Sequence, residues 1–219
     1  MSKFILTISV LIFSLSVYAQ SDTETFTDRR DGNTYNIISI GKQKWMGENL
    51  RYLPDISPAD EGYLYEIHYY VYGYNGTDID SAKASANYSE YGVLYNYLAA
   101  KKACPLGWRL PSEKDWEELE TVLNNPQTGS YMASKSDSWD DGKMKKAECW
   151  GESKFNALPA GYRDGNGFFS EHGKTAYFWT SKQEKQSYAF YRYIENDETY
   201  LGHEHGGWDN AYSIRCVKN

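Results

Sequence analysis

Three tyrosines alternate in a stretch of the chain that is dense in tyrosine: Tyr70, Tyr72 and Tyr74. In an extended strand this spacing places all three rings on one face. A flat ring with a hydroxyl at its edge suits contact with sugar rings and with protein surfaces. The pattern predicts a ligand-contact surface, and the alternative is that these rings cover the domain's own core.

The tryptophans divide into two groups by their surroundings in the sequence. One group lies in polar segments rich in glycine or aspartate, where an exposed indole is a good candidate for ligand contact: Trp139, Trp150 and Trp208. The other group lies in predicted strands or on the apolar side of a predicted helix, and we expect it in the core: Trp45, Trp108, Trp116 and Trp179. The predicted binding set is the first group together with the alternating tyrosines.

Candidate metal ligands occur in three places, and none completes a known pattern. His203 and His205 are spaced to share one face of a strand, but no third ligand is evident. Two groups of oxygen-bearing side chains could serve calcium, and neither has the EF-hand spacing: Asp137, Asp140 and Asp141, and residues 195–198. We predict no metal site and no cofactor, with calcium as the one cofactor left open.

No catalytic motif accompanies these residues. The sequence lacks a nucleophile elbow, a glycine-rich phosphate loop and an HExxH pair. A noncatalytic protein is therefore favoured. An enzyme would need a metal at His203 and His205, or a reactive thiol at Cys149.

The elements that must position these side chains are short. Strand-like alternation begins at Phe26, and a helical region is predicted over residues 81–103. Ser112 caps a second predicted helix, with Asp115 in the reciprocal capping position. Turn signals then separate short aromatic strands as far as the last residues. The predicted class is α+β, with two helices packed on short, mainly antiparallel strands and long loops.

The N-terminal segment has the pattern of a secretory signal. Residues 1–19 carry one early lysine, an apolar run too short to span a membrane, and small residues before the predicted cleavage after Ala19. We expect export to the periplasm or the cell exterior. Residues 20–27 are predicted to be a polar lead-in, and residues 28–219 a single domain, because about 200 residues form one ordinary domain.

Charge and cysteine content narrow the partners and the compartment. The net charge is −7 without a basic cluster, which argues against nucleic acid or anionic lipid. No second hydrophobic stretch follows the signal, so the domain is not expected to be embedded in a membrane, and carbohydrate or a surface protein remains as the partner. Nothing in the sequence specifies an oligomeric state. In an oxidising compartment, Cys104, Cys149 and Cys216 would form one bridge and leave one thiol, with the pairing open.

Three ordered sets of motifs together resemble a known family. They lie in residues 26–50, 91–112 and 155–217, and include WMGENL at 45–50, CPLGWRLPS at 104–112 and LPAGYR at 158–163. These are similar to the motifs of the Fibrobacter succinogenes major paralogous domain, a family of exported bacterial proteins. The resemblance covers nearly all of the chain after the predicted signal peptide.

This resemblance implies a fold and a disulfide, but no activity. The family is grouped with C-type-lectin-like folds, beside relatives of the formylglycine-generating enzyme whose helix begins with a motif like Arg109 to Trp116. Cys104 and Cys216 occupy the family's two cysteine-containing motifs, which implies that they pair and that Cys149 is free. The family has no settled activity, and a fold alone does not assign one.

We therefore expect an exported, noncatalytic binding module of C-type-lectin-like architecture that recognises carbohydrate or a cell-surface ligand. Two alternatives remain. One is a structural or adhesive envelope protein, and the other is a metal- or thiol-dependent enzyme on the same scaffold.

Overall fold

The computed structural model describes residues 24–219, and the predicted signal peptide lies outside them. The strands, in chain order, are β1 (Thr25–Thr27), β2 (Thr34–Ile40), β3 (Gln43–Met46), β4 (Tyr69–Tyr70), β5 (Leu94–Asn96), β6 (Trp108–Arg109), β7 (Tyr162–Arg163), β8 (Phe169–Ser170), β9 (Thr175–Lys185), β10 (Tyr188–Glu195), β11 (Gly202–Gly207), β12 (Ala211–Tyr212) and β13 (Val217–Lys218). The helices are α1 (Ile79–Lys83), α2 (Ala86–Tyr91), α3 (Tyr97–Ala103), α4 (Glu113–Leu123), α5 (Thr128–Met132) and a 3-10 turn (Met144–Lys146). The predicted α+β class is confirmed.

The first sheet joins the two ends of the described chain in the order β1-β2-β3-β13-β6. Strand β2 alternates exposed and buried side chains from Thr34 to Ile37, so that Tyr35 and Ile37 share one face and pack in one core cluster. Ile40 lies on the opposite face and is buried in a second cluster. Strand β1 pairs with β2 through Thr25 opposite Asn36. The predicted polar lead-in therefore ends in a paired strand, because these residues extend the sheet by one more ladder.

The second sheet is a hairpin with one added strand, in the order β11-β10-β9. The first half of β9 is buried and its second half is exposed from Ser181 onward, so the hairpin projects from the body of the domain. The third sheet has the order β4-β5-β12-β7-β8. It curls until its two ends meet, since Tyr72, just after β4, contacts Phe169 of β8 with ring centroids 5.1 Å apart.

Residues 81–103, predicted as one helical region, do not form a single helix. It is divided into α1, α2 and α3, with strand β5 inserted before α3. Gly92 ends α2 with a φ of 80°, and a Cβ at this position would lie 2.8 Å from the carbonyl oxygen of Leu50. Only glycine tolerates both the positive φ and the close approach of the Leu50 backbone, so the chain leaves the helix here. The side chain of Asn96 then caps α3 by accepting a hydrogen bond from the Ala99 amide.

Helix α4 confirms the predicted capping box. The Ser112 hydroxyl accepts from the Asp115 amide, and the Asp115 carboxylate accepts from the Ser112 amide, which satisfies two free amides at the helix start. Trp116 and Leu119 are buried. In the next turn, Leu123 packs against the core and Val122 is exposed.

The core contains the tryptophans that the sequence assigned to it. Their exposed fractions are 6% or less: Trp45, Trp108, Trp116 and Trp179. The predicted pairing of Cys104 with Cys216 is confirmed, at a sequence separation of 112 residues. Across residues 24–219, no helix combines the length and apolar character needed to cross a membrane.

Candidate ligand-binding loops

The predicted tyrosine face does not form. Strand β4 ends at Tyr70, and a turn follows in which the Tyr74 amide donates to the carbonyl oxygen of Val71 at 3.0 Å. Tyr70 is fully buried, and its hydroxyl donates to the carbonyl oxygen of Glu61 at 2.6 Å. The prediction of a shared exposed face is wrong because a two-residue strand cannot carry an alternation of five residues.

The other two tyrosines are half-buried in different surroundings. Tyr72 packs against His172, with ring centroids 4.7 Å apart. The hydroxyl of Tyr74 donates to the carbonyl oxygen of Asp78 at 2.9 Å, next to the start of α1. These rings support neighbouring backbone, and they do not form one surface.

The three loop tryptophans also lie apart. Trp139 is 1% exposed, and its indole nitrogen is within 3.1 Å of the Ser134 hydroxyl, so its predicted ligand contact is wrong: the polar segment folds the ring into the core. Trp150 is half-buried with the Lys145 ammonium 5.8 Å from its ring. Trp208 is half-buried against Tyr97.

The candidate metal and thiol residues have ordinary structural partners. His203 and His205 both contact the ring of Phe190, as their spacing predicts, and the Nε2 atom of His203 lies 2.7 Å from the Glu113 carboxylate. Within the described part of the chain, no group of three or more histidine, cysteine or acidic side chains is arranged to hold a metal ion. The thiol of Cys149 is half-buried beside the side chain of Gln127.

A different set of aromatic rings is presented to solvent at one end of the curled sheet. Tyr63 is 61% exposed, Tyr65 is 65% exposed and Phe168 is 68% exposed. They lie on two of three adjoining loops, residues 57–68, 164–168 and 207–210, which we call the loop end. Large aromatic side chains held in solvent on ordered loops are typical of binding surfaces.

The buried guanidinium of Arg163 joins the first and third of these loops. Its Nε and Nη2 atoms donate to the carbonyl oxygen of Ala59 at 3.0 and 2.8 Å, and its Nη1 atom donates to that of Asp209 at 2.9 Å. The guanidinium carbon also lies 4.7 Å from the ring centroid of Tyr70, a favourable cation–π contact. Arg163 is 1% exposed, so a charged side chain fixes the loops from inside the fold.

Close backbone contacts add the second loop to this arrangement. A Cβ on Gly167 would lie 2.6 Å from the carbonyl oxygen of Ala59, and a Cβ on Gly62 would lie 2.4 Å from the Arg163 guanidinium. Only glycine allows such an approach. The carboxylate of Asp164 accepts from the amides of Asn166 and Phe168, both at 2.9 Å, which fixes the turn that carries the exposed phenylalanine.

His68 closes the first loop from its far end. Its Nε2 atom accepts from the Tyr63 amide at 3.2 Å, so the ring is neutral and its Nδ1 atom donates to the Ser57 hydroxyl at 3.0 Å. Desolvation is the largest influence and lowers the pKa of His68. Glu66 raises it, the positive charge of Arg163 lowers it, and Glu61 and Asp55 raise it by less, so that the net shift is downward. The neutral ring is therefore the form that holds this loop.

The loop end presents two kinds of group that suit a hydroxylated ligand. Exposed rings offer apolar faces, and four carboxylates on the same loops offer acceptors for hydroxyl groups: Asp60, Glu61, Glu66 and Asp209. Aromatic stacking combined with directional acceptors is a common way to bind a small polar ligand.

A second group of tyrosines lies on the inner side of the hairpin sheet, and it is already occupied. Tyr177, Tyr191 and Tyr193 are half-buried, and the ring of Tyr177 stacks on Tyr212 with centroids 5.1 Å apart. Their faces contact one another and the core. This array stabilises the hairpin, and it offers a ligand less free ring surface than the loop end does.

Sequence reasoning missed Tyr63, Tyr65 and Phe168 as contact residues. The available signal was an aromatic residue next to turn-forming residues: Phe168 directly follows Asp-Gly-Asn-Gly at 164–167, and Tyr63 follows Gly62. Aromatic residues beside such turns reach solvent more readily than those inside alternating runs.

The family model of the Fibrobacter succinogenes major domain matches residues 38–218. The chain belongs to this family. The matched range includes α4, both bridged cysteines and the whole loop end. No curated protein and no solved structure shows significant similarity to the chain.

Proposed function

We propose that this Fibrobacter succinogenes major domain is an exported, noncatalytic binding module of C-type-lectin-like architecture, and that its loop end binds carbohydrate. The observation that supports the proposal is the exposure of Tyr63, Tyr65 and Phe168 on loops that a buried arginine holds in place. A rigid loop loses little conformational entropy on binding, so its contacts contribute more fully to affinity.

Carbohydrate is favoured because the loop end combines exposed rings with acceptors. A sugar ring has an apolar face that stacks on an aromatic ring, and hydroxyls at its edge that donate to carboxylates. Asp60 lies on the loop that carries Tyr63 and Tyr65, and the Asp209 carboxylate lies beside Gly165 on the loop that carries Phe168. The acidic character of the loop end also favours neutral over anionic sugars.

The test is a glycan and polysaccharide binding panel with residues 20–219, run with calcium and again with a chelator. The variants Tyr65→Ala and Phe168→Ala should each weaken binding by about tenfold, because the stacking of a sugar on one aromatic ring contributes about 1–2 kcal/mol. Tyr200→Ala is the matched control, since Tyr200 is 47% exposed and lies outside the loop end. Loss of binding with the chelator would assign a role to calcium.

Binding that survives both loop-end variants would contradict the site. A panel on which no glycan binds would contradict the carbohydrate proposal. It would favour adhesion to a surface protein, for which exposed aromatic rings beside carboxylates are equally suited.

A further inference from the structure

An open cleft lies between α3, the start of α4 and β9, next to the third loop of the loop end. Its volume is about 550 Å³, and it is lined by Lys101, Arg109, Leu110, Ser112 and Ser181. Two of these residues are cationic, and no lining residue is acidic. This is unusual in a chain whose net charge is −7.

The ammonium group of Lys101 has no carboxylate partner among the described residues. It lies 5.2 Å from the ring centroid of Trp208 and 5.4 Å from that of Tyr97. Aromatic faces attract a cation without neutralising its charge. Lys101 is therefore held at the cleft with its full positive charge available to an anion.

The nearest carboxylates on α4 are occupied. Asp115 binds both terminal nitrogens of Arg109, at 2.5 and 2.7 Å, and also caps the helix. Glu113 binds Arg192 at 3.0 Å and His203 at 2.7 Å. Neither acidic residue is among those that line the cleft. The Asp115 carboxylate nevertheless neutralises Arg109 there, so Lys101 is the cation left for an incoming anion.

The base of the cleft is also fixed. The hydroxyl of Tyr97 donates to the carbonyl oxygen of Ser181 at 3.0 Å, and the Ser181 amide donates to that of Pro111 at 2.7 Å. These bonds join α3 and β9 to the segment before α4. The backbone that carries Ser181 is thereby fixed beside Leu110, and the Ser112 hydroxyl is held by its bond to Asp115.

We propose that this cleft binds an acidic saccharide. The carboxylate of the sugar pairs with the ammonium of Lys101, and Leu110 contacts the apolar face of the ring. The Ser181 hydroxyl exchanges hydrogen bonds with a ring hydroxyl, whereas the Ser112 hydroxyl, whose proton is donated to Asp115, only accepts from one. Cationic and hydroxyl groups in one cleft match the two polar groups of a uronic acid. This site goes beyond the proposed function, because the loop end lacks its cationic groups.

The test is calorimetric titration of residues 20–219 with an oligogalacturonate at low salt. Lys101→Gln should weaken binding by about fivefold, because it removes one charge-assisted contact at a partly exposed site. Lys101→Arg should retain binding. Lys102→Gln is the matched control, since Lys102 is the exposed neighbour on α3 and does not line the cleft; it should change affinity by less than about twofold.

Three further arms make the result specific. Binding should weaken as salt rises, since salt screens an exposed ion pair. Neutral galacto-oligosaccharide and poly-glutamate should both bind more weakly than the oligogalacturonate. The neutral sugar lacks the carboxylate, and poly-glutamate lacks the ring hydroxyls. Equal losses in Lys101→Gln and Lys102→Gln would overturn the proposal, as would equal affinity for poly-glutamate. A Tyr65→Ala and Phe168→Ala double variant should bind oligogalacturonate normally, which separates this site from the loop end.

Discussion

Two buried arginines hold two regions of this molecule in different ways. Arg163 lies under the loop end, and Arg215 lies in the centre of the domain; each is 1% exposed. Among the described residues, neither forms an ion pair with a carboxylate. Both are held mainly by backbone carbonyl oxygens and by aromatic rings.

Arg215 and Arg163 differ in the parts of the fold that supply their hydrogen-bond acceptors. Arg215 donates to the carbonyl oxygens of Phe155 and Asn156 and to the amide oxygen of Asn49, and the Phe155 ring centroid is 4.5 Å away. Complete burial lowers the pKa of Arg215 by desolvation. Two of its acceptors, Phe155 and Asn49, belong to buried residues of the core, whereas the acceptors of Arg163 belong to two loops at the edge of the fold, one buried at Ala59 and one half-buried at Asp209. We infer that Arg215 determines global stability and Arg163 determines the shape of the loop end.

The largest expected effect concerns the disulfide beside Arg215. Replacing Cys104 and Cys216 together with serine should lower the free energy of unfolding by about 4–5 kcal/mol, because the bridge closes a loop of 112 residues. Urea denaturation of the variant and the parent measures the loss. At low temperature, where the variant is still folded, glycan binding at the loop end should be unchanged. Weaker binding in the folded variant would contradict the separation of the two regions.

The next effect compares the two arginines directly. Arg215→Met should cost about 3–5 kcal/mol of unfolding free energy, because it leaves several buried acceptors without donors. Arg163→Met should cost about 1–3 kcal/mol, since it frees only two carbonyl oxygens and the one of Asp209 lies on a half-buried loop where water can replace the donor. Urea denaturation gives both values.

Binding measurements and amide hydrogen exchange complete this comparison. Arg163→Met should lose glycan binding and speed exchange in residues 57–68, and the other amides should keep their protection. If Arg163→Met proves as destabilising as Arg215→Met, the loop end is part of the global folding unit and our assignment of roles is wrong.

The smallest expected effect is a pH dependence of the loop end. A histidine whose pKa is lowered by folding stabilises the native state in its neutral form, and that contribution is lost as the pH falls below the unfolded pKa of 6.5. The melting temperature should therefore fall between about pH 7 and about pH 5, and less steeply in His68→Gln. His172, whose pKa is also lowered by burial, is unchanged in both proteins and cancels. Identical slopes would show that His68 does not hold the loop.

Local patterns predicted the parts of the fold that depend on neighbours in sequence. The capping box of α4 lies within four residues, and the buried tryptophans follow strand and helix periodicity. The helix predicted over residues 81–103 was wrong because Gly92 packs against Leu50, a contact that spans more than 40 residues. The contact surface was wrong for the same reason, since the hydroxyl of Tyr70 reaches Glu61 and its ring reaches Arg163.

The sequence alone determined the α+β class, the acidic charge, the core tryptophans and, through its resemblance to a family, the pairing of Cys104 with Cys216. Only the tertiary structure decided which aromatic rings face solvent. Exposure depends on how distant segments pack, and here one buried guanidinium brings together backbone at Ala59 and Asp209, about 150 residues apart in the chain. Whether an aromatic side chain on one of these loops is exposed therefore depends on distant segments that pack against it. The residues next to it in the sequence do not specify those segments.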